Sequence, residues 1–193
     1  GGQNTYRFSI AWSRILPDGV GEVNEDGVAF YNRVIDCCVK YGVVPNATLF
    51  HYDLPYALVC KGGWLNADVA KWFCDYAKIC FERFGDRVKV WATINEPHFY
   101  SYCANMLGNY PPNRSLDMQS FMQYQYHLML ASSMAVRAYR EMGGDGIIGV
   151  VHDGGVVEVD PAAEHPEEVF RGAGFMANRM ILAPCLQGRL PEE

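Results

Sequence analysis

No apolar run in the 193 residues approaches the about 18 consecutive positions that a membrane-spanning helix needs, and no five neighbours in a row carry charge of one sign. Lysine and arginine number 16 against 22 acidic residues, a formal charge of −6, so no footprint for a nucleic acid or anchor for an anionic membrane is present. The chain opens Gly1-Gly2-Gln3-Asn4, without a signal-peptide pattern, and no targeting segment is expected. The seven cysteines are irregularly spaced, and no Cys-x-x-Cys pair suggests zinc or redox chemistry. Reduced thiols in a cytoplasm fit that pattern, most of them acting as small buried apolar residues; of the adjacent Cys37 and Cys38, one faces the core. Neither Gly-x-Gly-x-x-Gly nor Gly-x-x-x-x-Gly-Lys follows any predicted strand, which argues against a dinucleotide or nucleoside triphosphate site.

What is present is an ordinary globular composition, 50% hydrophobic and 13% aromatic, compatible with one domain. Strand-like and helix-like segments alternate along it. Tyr6 to Trp12 alternates large apolar and polar residues and stops near Pro17-Asp18-Gly19. Asn24 then offers a helix N-cap, and Val28, Tyr31, Val34, Ile35, Cys38 and Val39 repeat at helical spacing until Gly42. Val43 to Phe50 reads as the second strand. A helix opening at Asn66 buries Val69, Trp72, Phe73, Tyr76, Ala77, Cys80, Phe81 and Phe84 and stops at Gly85. A third strand, Val88 to Ile94, alternates cleanly and ends before Pro97. After a long loop containing Pro111-Pro112, a helix runs from about Asp117 to Met142. The fourth strand is Ile147 to Val151, and a last helix begins at Pro166.

Four successive strand-helix units predict an α/β fold with parallel strands and right-handed crossovers. Loops leaving the strands are long (Ala11 to Val23, His51 to Leu65, Asn95 to Leu116, His152 to His165), whereas those leaving helices are a few residues. Function is therefore expected at the C-terminal strand ends, and a barrel without a nucleotide cofactor is the leading architecture.

Those ends collect Arg7 and Trp12, then His51-Tyr52-Asp53-Leu54-Pro55, then Thr93-Ile94-Asn95-Glu96-Pro97, and finally His152-Asp153. Carboxylate, amide, imidazole and aromatic groups in one place suit a carbohydrate, whose hydroxyls need donors and acceptors and whose ring faces need flat apolar surface. Cleaving a glycosidic bond also needs a carboxylic acid to protonate the departing oxygen, and Glu96 is placed for it. Each residue has a plainer reading. Glu96 also reads as a surface carboxylate in an ion pair, His51 as a satisfied core histidine, and Asp53 as a structural hydrogen-bond acceptor. Arg7, in an otherwise apolar strand, must be paired if it points inward. His127 and Met118, Met122, Met129 and Met134 share one long helix and are assigned to packing.

The segments Tyr6 to Ile15 (Tyr-Arg-Phe-Ser-Ile-Ala-Trp-Ser-Arg-Ile), His51 to Pro55 with Gly62-Gly63-Trp64 after it, and Thr93 to Pro97 together resemble the family 1 glycoside hydrolases, the β-glucosidase family. The resemblance covers essentially the whole chain, residues 1–193, and implies a (β/α)8 TIM barrel with no second domain. It further implies hydrolysis of β-linked glycosides with retention of configuration, without metal or cofactor. Carried over by position, it makes Glu96 the general acid/base and Asn95 the amide that binds the sugar 2-hydroxyl. His51 becomes a ligand of the sugar's far hydroxyls, and Arg7 the residue that orients the partner carboxylate. Tyr52 stands where the family most often has tryptophan. Leu107 to Pro112 and Gly149 to His152 are similar to the 6-phospho-β-glucosidase and 6-phospho-β-galactosidase branches, which makes a 6-phospho-β-glycoside the alternative substrate.

The retaining mechanism needs a second carboxylate about 5–5.5 Å from the first. The family's nucleophile lies in a Thr-Glu-Asn-Gly-like motif on a later strand, and no Glu-Asn-Gly occurs here. Asp53 and Asp153 are the nearest substitutes. By motif order the chain corresponds to strands two to five of eight, a fragment expected to be inactive alone. A competing reading from another class is a non-catalytic half-barrel that binds sugar or self-associates to cover its open edges.

Overall fold

Strand β1 (Thr5–Ser9) is shorter than its alternating pattern predicts, because the chain turns at Trp12 into a short helix, α1 (Trp12–Ile15). The turn is driven by burial: Trp12 is fully buried, stacks on Tyr76 at 5.1 Å, and its indole N–H donates to the carbonyl of Gly19. The computed structural model describes residues 2–190; residue 1 and residues 191–193 of the span assigned to the barrel lie outside the described residues.

Helix α2 (Glu25–Lys40) begins where Asn24 predicts, but the Asn24 side chain does not cap it. Its amide donates to the Arg14 carbonyl, tying the helix start to the preceding loop. Gly27 permits that approach, since a Cβ there would fall 1.9 Å from the same carbonyl oxygen. Cys38 faces the core and Cys37 the solvent, and the helix stops at Gly42 with φ 66°. Val39, placed on the apolar stripe by spacing, is 51% exposed.

Strand β2 (Val44–Phe50) is followed by α3 (Tyr56–Cys60), a 3-10 turn (Gly63–Leu65) and α4 (Val69–Phe84). Helix α4 starts three residues later than predicted because Asn66 forms an Asx turn, its side chain accepting from the Asp68 N–H. Strand β3 (Val90–Asn95) leads into α5 (Pro97–Asn105), in a stretch read from sequence as loop. Pro97 there opens a helix as well as ending a strand. Helix α6 (Met118–Glu141) is capped by Asp117, whose carboxylate accepts from the Ser120 N–H. Strand β4 (Ile147–Val151) precedes α7 (Pro166–Gly174), a π-helical turn (Phe175–Arg179) and α8 (Met180–Gln187).

All four strands are parallel and adjacent in chain order, β1-β2-β3-β4. Each connection runs through at least one helix, as parallel pairing requires. Helices α2, α4 and α6 cover one face, over a core that includes Trp12, Ile35, Phe73, Tyr76 and Phe84. The Tyr76 hydroxyl donates within that core, reaching the carbonyls of Ile10 and Leu49 at 2.8 and 3.0 Å and so joining two strand ends. Strand β3 lacks the clean in-out alternation expected of it: Trp91 to Asn95 are all buried, as in a strand covered on both faces. Four of the seven cysteines are buried and all are free thiols. No helix among the described residues is long and apolar enough to cross a membrane.

One irregularity positions the site. Trp91 packs against Phe81 of α4, and Thr93 hydrogen-bonds Ser132 of α6, so both face the helices. Between Ala92 and Asn95 the pairing with β4 slips, Ala92 opposing Gly149 and Asn95 opposing Val151, so β3 carries one extra residue. This bulge returns Asn95 to the face opposite Trp91 and Thr93, re-aiming a side chain at a strand end.

Candidate functional site at the strand ends

Arg7 on β1, Thr48 on β2, and Asn95 and Glu96 at the end of β3 converge through hydrogen bonds. The Arg7 guanidinium donates from Nε to Thr48 Oγ1 at 2.9 Å and from Nη2 to Asn95 Oδ1 at 2.6 Å. Asn95 Nδ2 donates to the Tyr52 hydroxyl at 2.9 Å, and that hydroxyl donates to Glu96 Oε2 at 2.9 Å. A guanidinium has no acceptor, so the Asn95 atom facing it must be the carbonyl oxygen, and the sense of every later bond follows.

Two backbone conformations aim these groups. Tyr52 has φ 73° and Glu96 φ 42°, both in the left-handed region that residues other than glycine rarely enter. Such strain persists only where surroundings hold it. Glu96 is held by its N–H on the Val151 carbonyl and by its own carbonyl accepting from the Tyr100 N–H in the first turn of α5. The Tyr52 ring stacks on Tyr100 at 4.9 Å and meets Tyr110 edge-on at 5.7 Å. Burial, and then the neighbouring Glu96 carboxylate, push the Tyr52 phenol far above the usual tyrosine range, so it remains a donor.

Other residues singled out from sequence take different places. Arg7 is exposed on β1, which in this chain has a neighbour on one side, and its partners among the described residues are the Thr48 hydroxyl and the Asn95 amide. His51 is exposed too. Its ring lies edge-on to Tyr52 at 5.0 Å, outside the hydrogen-bonded set, and with Arg7 it lines an open cavity of about 490 Å3. Asp53 is structural: Oδ2 accepts from the Trp12 N–H at 2.9 Å and Oδ1 from the His51 N–H at 3.1 Å. Its burial raises the carboxyl's pKa, against those two N–H groups, which lower it. Asp53 is therefore turned to the backbone and is no substitute for the second carboxylate. His152 and Asp153 sit together at the end of β4, 3.8 Å apart, and His152 Nε2 lies 3.3 Å from Asn178 Oδ1 in the π-helical turn. His127 is a packing residue, its Nδ1 on the Trp64 carbonyl at 2.6 Å.

Thr48, the Tyr52 hydroxyl and Asn178 were not singled out from sequence. The adjacency of Tyr52 to His51 was the available signal for the second; nothing local marks Asn178, which meets its partners only through tertiary packing. A carboxyl group with one oxygen engaged by a phenol and flanked by an amide can exchange a proton with a ligand.

The architecture is a run of parallel strand-helix units with a carboxyl group hydrogen-bonded at a strand end, the general form of part of a (β/α) barrel. A model of glycosyl hydrolase family 1 matches residues 2–193. Beta-glucosidase A of Thermotoga maritima is 42% identical across 99% of this chain and 43% of its own length. A 6-phospho-beta-glucosidase of Bacillus subtilis is 40% identical across 100% of this chain and 41% of its own. A solved family 1 β-glucosidase from Thermotoga maritima superposes with a TM-score of 0.93 at 39% identity, over 98% of this chain and 43% of that one. The chain belongs to glycosyl hydrolase family 1, and its fold is part of a (β/α)8 barrel, spanning about two fifths of the length of these relatives.

Proposed function

We propose that the complete protein hydrolyses β-glycosidic bonds with retention of configuration and that Glu96 is its general acid/base. In this reading Glu96 protonates the glycosidic oxygen as the bond to the anomeric carbon breaks, while a second carboxylate from outside this chain attacks that carbon. Glu96, now ionised, then takes a proton from the water that releases the sugar. Asn95 binds the 2-hydroxyl with the amide N–H that Tyr52 leaves unused, and His51 contacts the far hydroxyls from the cavity it shares with Arg7. Arg7 orients the nucleophile, its Nη1 having no partner among the described residues. The reading takes β1 to β4 as strands two to five of a single barrel domain, with the seven free thiols supporting a reducing, cytoplasmic setting. The observation that carries it is the joining of Asn95 and Glu96, adjacent at one strand end, into a single hydrogen-bonded set within a family 1 chain.

In the complete protein, Glu96→Ala should lower kcat/KM by about 10²–10⁴-fold for glucosides with poor leaving groups. It should leave 2,4-dinitrophenyl glucoside turnover in its first step nearly intact, and added azide should restore turnover as glucosyl azide. Unchanged hydrolysis of the poor substrates would remove Glu96 from the role. The near-equal identity to a β-glucosidase and a 6-phospho-β-glucosidase supports a second substrate class, 6-phospho-β-glycosides. Comparing 4-nitrophenyl β-glucoside with its 6-phosphate decides between them.

A further inference from the structure

We propose that Tyr52 is a positioning residue that sorts the two oxygens of Glu96, holding Oε2 as an acceptor and leaving Oε1 to carry the transferred proton. The inference rests on the reading of Glu96 as acid/base and adds a specific agent to it.

Counting donors fixes the sense of each bond. Arg7 can only donate, which fixes the Asn95 carbonyl toward it and the Asn95 amide nitrogen toward Tyr52. With a donor already aimed at its oxygen, the Tyr52 hydroxyl must direct its own hydrogen elsewhere, and Glu96 Oε2 lies at 2.9 Å to receive it. Oε2 is thereby occupied as an acceptor. A neutral carboxylic acid has one hydrogen, so in the acid form that hydrogen belongs on Oε1, the oxygen free to meet a leaving group. Because each bond in the series Arg7, Asn95, Tyr52, Glu96 runs in the same sense, starting from a cation, the donors polarise one another toward the carboxylate. When Oε1 has lost its proton, the same phenol stabilises the carboxylate that must next deprotonate water. The Tyr52 ring is clamped between Tyr100 and Tyr110, so the hydroxyl does not have to be ordered anew in each half-reaction.

The test is Tyr52→Phe in the complete protein, assayed with aryl β-glucosides of graded leaving-group ability. Loss of the donor should lower kcat/KM about tenfold or more for the poorest leaving groups and less than about threefold for 2,4-dinitrophenyl glucoside, steepening the dependence. An equal fall across the series, or none, would overturn the proposal, since a purely structural role slows all substrates alike. A 3-fluorotyrosine placed at position 52 keeps ring and hydroxyl and makes the hydroxyl a stronger donor. It should flatten the dependence relative to the native residue, and it serves alone if Tyr52→Phe does not fold; an unchanged slope overturns the proposal. Glu96→Ala run beside them separates the two ideas: without its leaving-group signature the acid/base reading fails, whereas with it only the role of Tyr52 is in question.

Discussion

The ends of β2 and β3 and the end of β4 carry the same kinds of residue, yet they are organised differently. At β2 and β3, Asn95, Tyr52 and Glu96 are joined by hydrogen bonds and backed by buried aromatic rings. At β4, His152 and Asp153 lie 3.8 Å apart, while His152 Nδ1 and Asp153 Oδ1 are buried without a hydrogen bond among the described residues. No residue of α7 is buried. An interior strand end is confined by neighbours on both sides, which supply partners and exclude water. Strand β4 is last in the sheet of this chain and has one such wall here; the remaining strands of the barrel would supply the other. Among the described residues, polar side chains are joined where two flanking strands fix them, and the same chemistry at the last strand of this chain is loosely partnered.

The largest expected effect lies in packing. Trp12→Ala removes a fully buried indole and should cost about 3–5 kcal/mol, read from urea unfolding of this chain. Phe170→Ala, at a ring 53% exposed on α7, should change stability by less than about 0.5 kcal/mol. Equal losses would erase the contrast between the regions.

Next is Asp53→Ala, which strands the Trp12 and His51 N–H groups and should cost about 1–3 kcal/mol. Asp53 also gives a pH signature. Its folded-state pKa is raised by burial, so the native protein binds this proton more tightly than the unfolded chain does. The stability it contributes is greatest below its ordinary value of 3.8 and falls as pH rises through the elevated folded value. Denaturant midpoints measured upward from pH 3.5 should show that decline in the native protein and a shallower one in Asp53→Asn; parallel curves would contradict it. The smallest effect belongs to Asn178→Ala. Its amide donates to the Gly155 carbonyl at 2.9 Å, and its loss should cost no more than about 1 kcal/mol. Faster amide exchange at the residues beside Gly155, with the β2 and β3 ends unaffected, would sharpen the regional difference; protection unchanged throughout would remove Asn178 from it.

Much of this was legible in the chain because it is local. Apolar spacing marked all four strands and the helices α2, α4 and α6, and long loops marked the face where Tyr52, Asn95 and Glu96 meet. Helix α5 was missed because Pro97 signals a strand end and a helix start alike. The start of α4 was misplaced because an Asx turn uses the same residue type as an N-cap. His51 directly follows β2 and Arg7 lies in the middle of β1; their exposure depends on which strands flank them, and residue identity does not encode that.

By itself the sequence determined the order of strand-helix units, the face that carries polar groups, and the adjacency of Asn95 and Glu96. Tertiary structure alone decided which way Asn95 points. Continued alternation would have set it beside Trp91 and Thr93 against the helices, and a one-residue bulge turns it to Arg7 instead. It also decided that Tyr52 donates to Glu96, since the sense of that bond originates at Arg7, 88 residues before Asn95 in the chain. A hydrogen bond's direction depends on what the next group can offer, and only folding brings that group within reach.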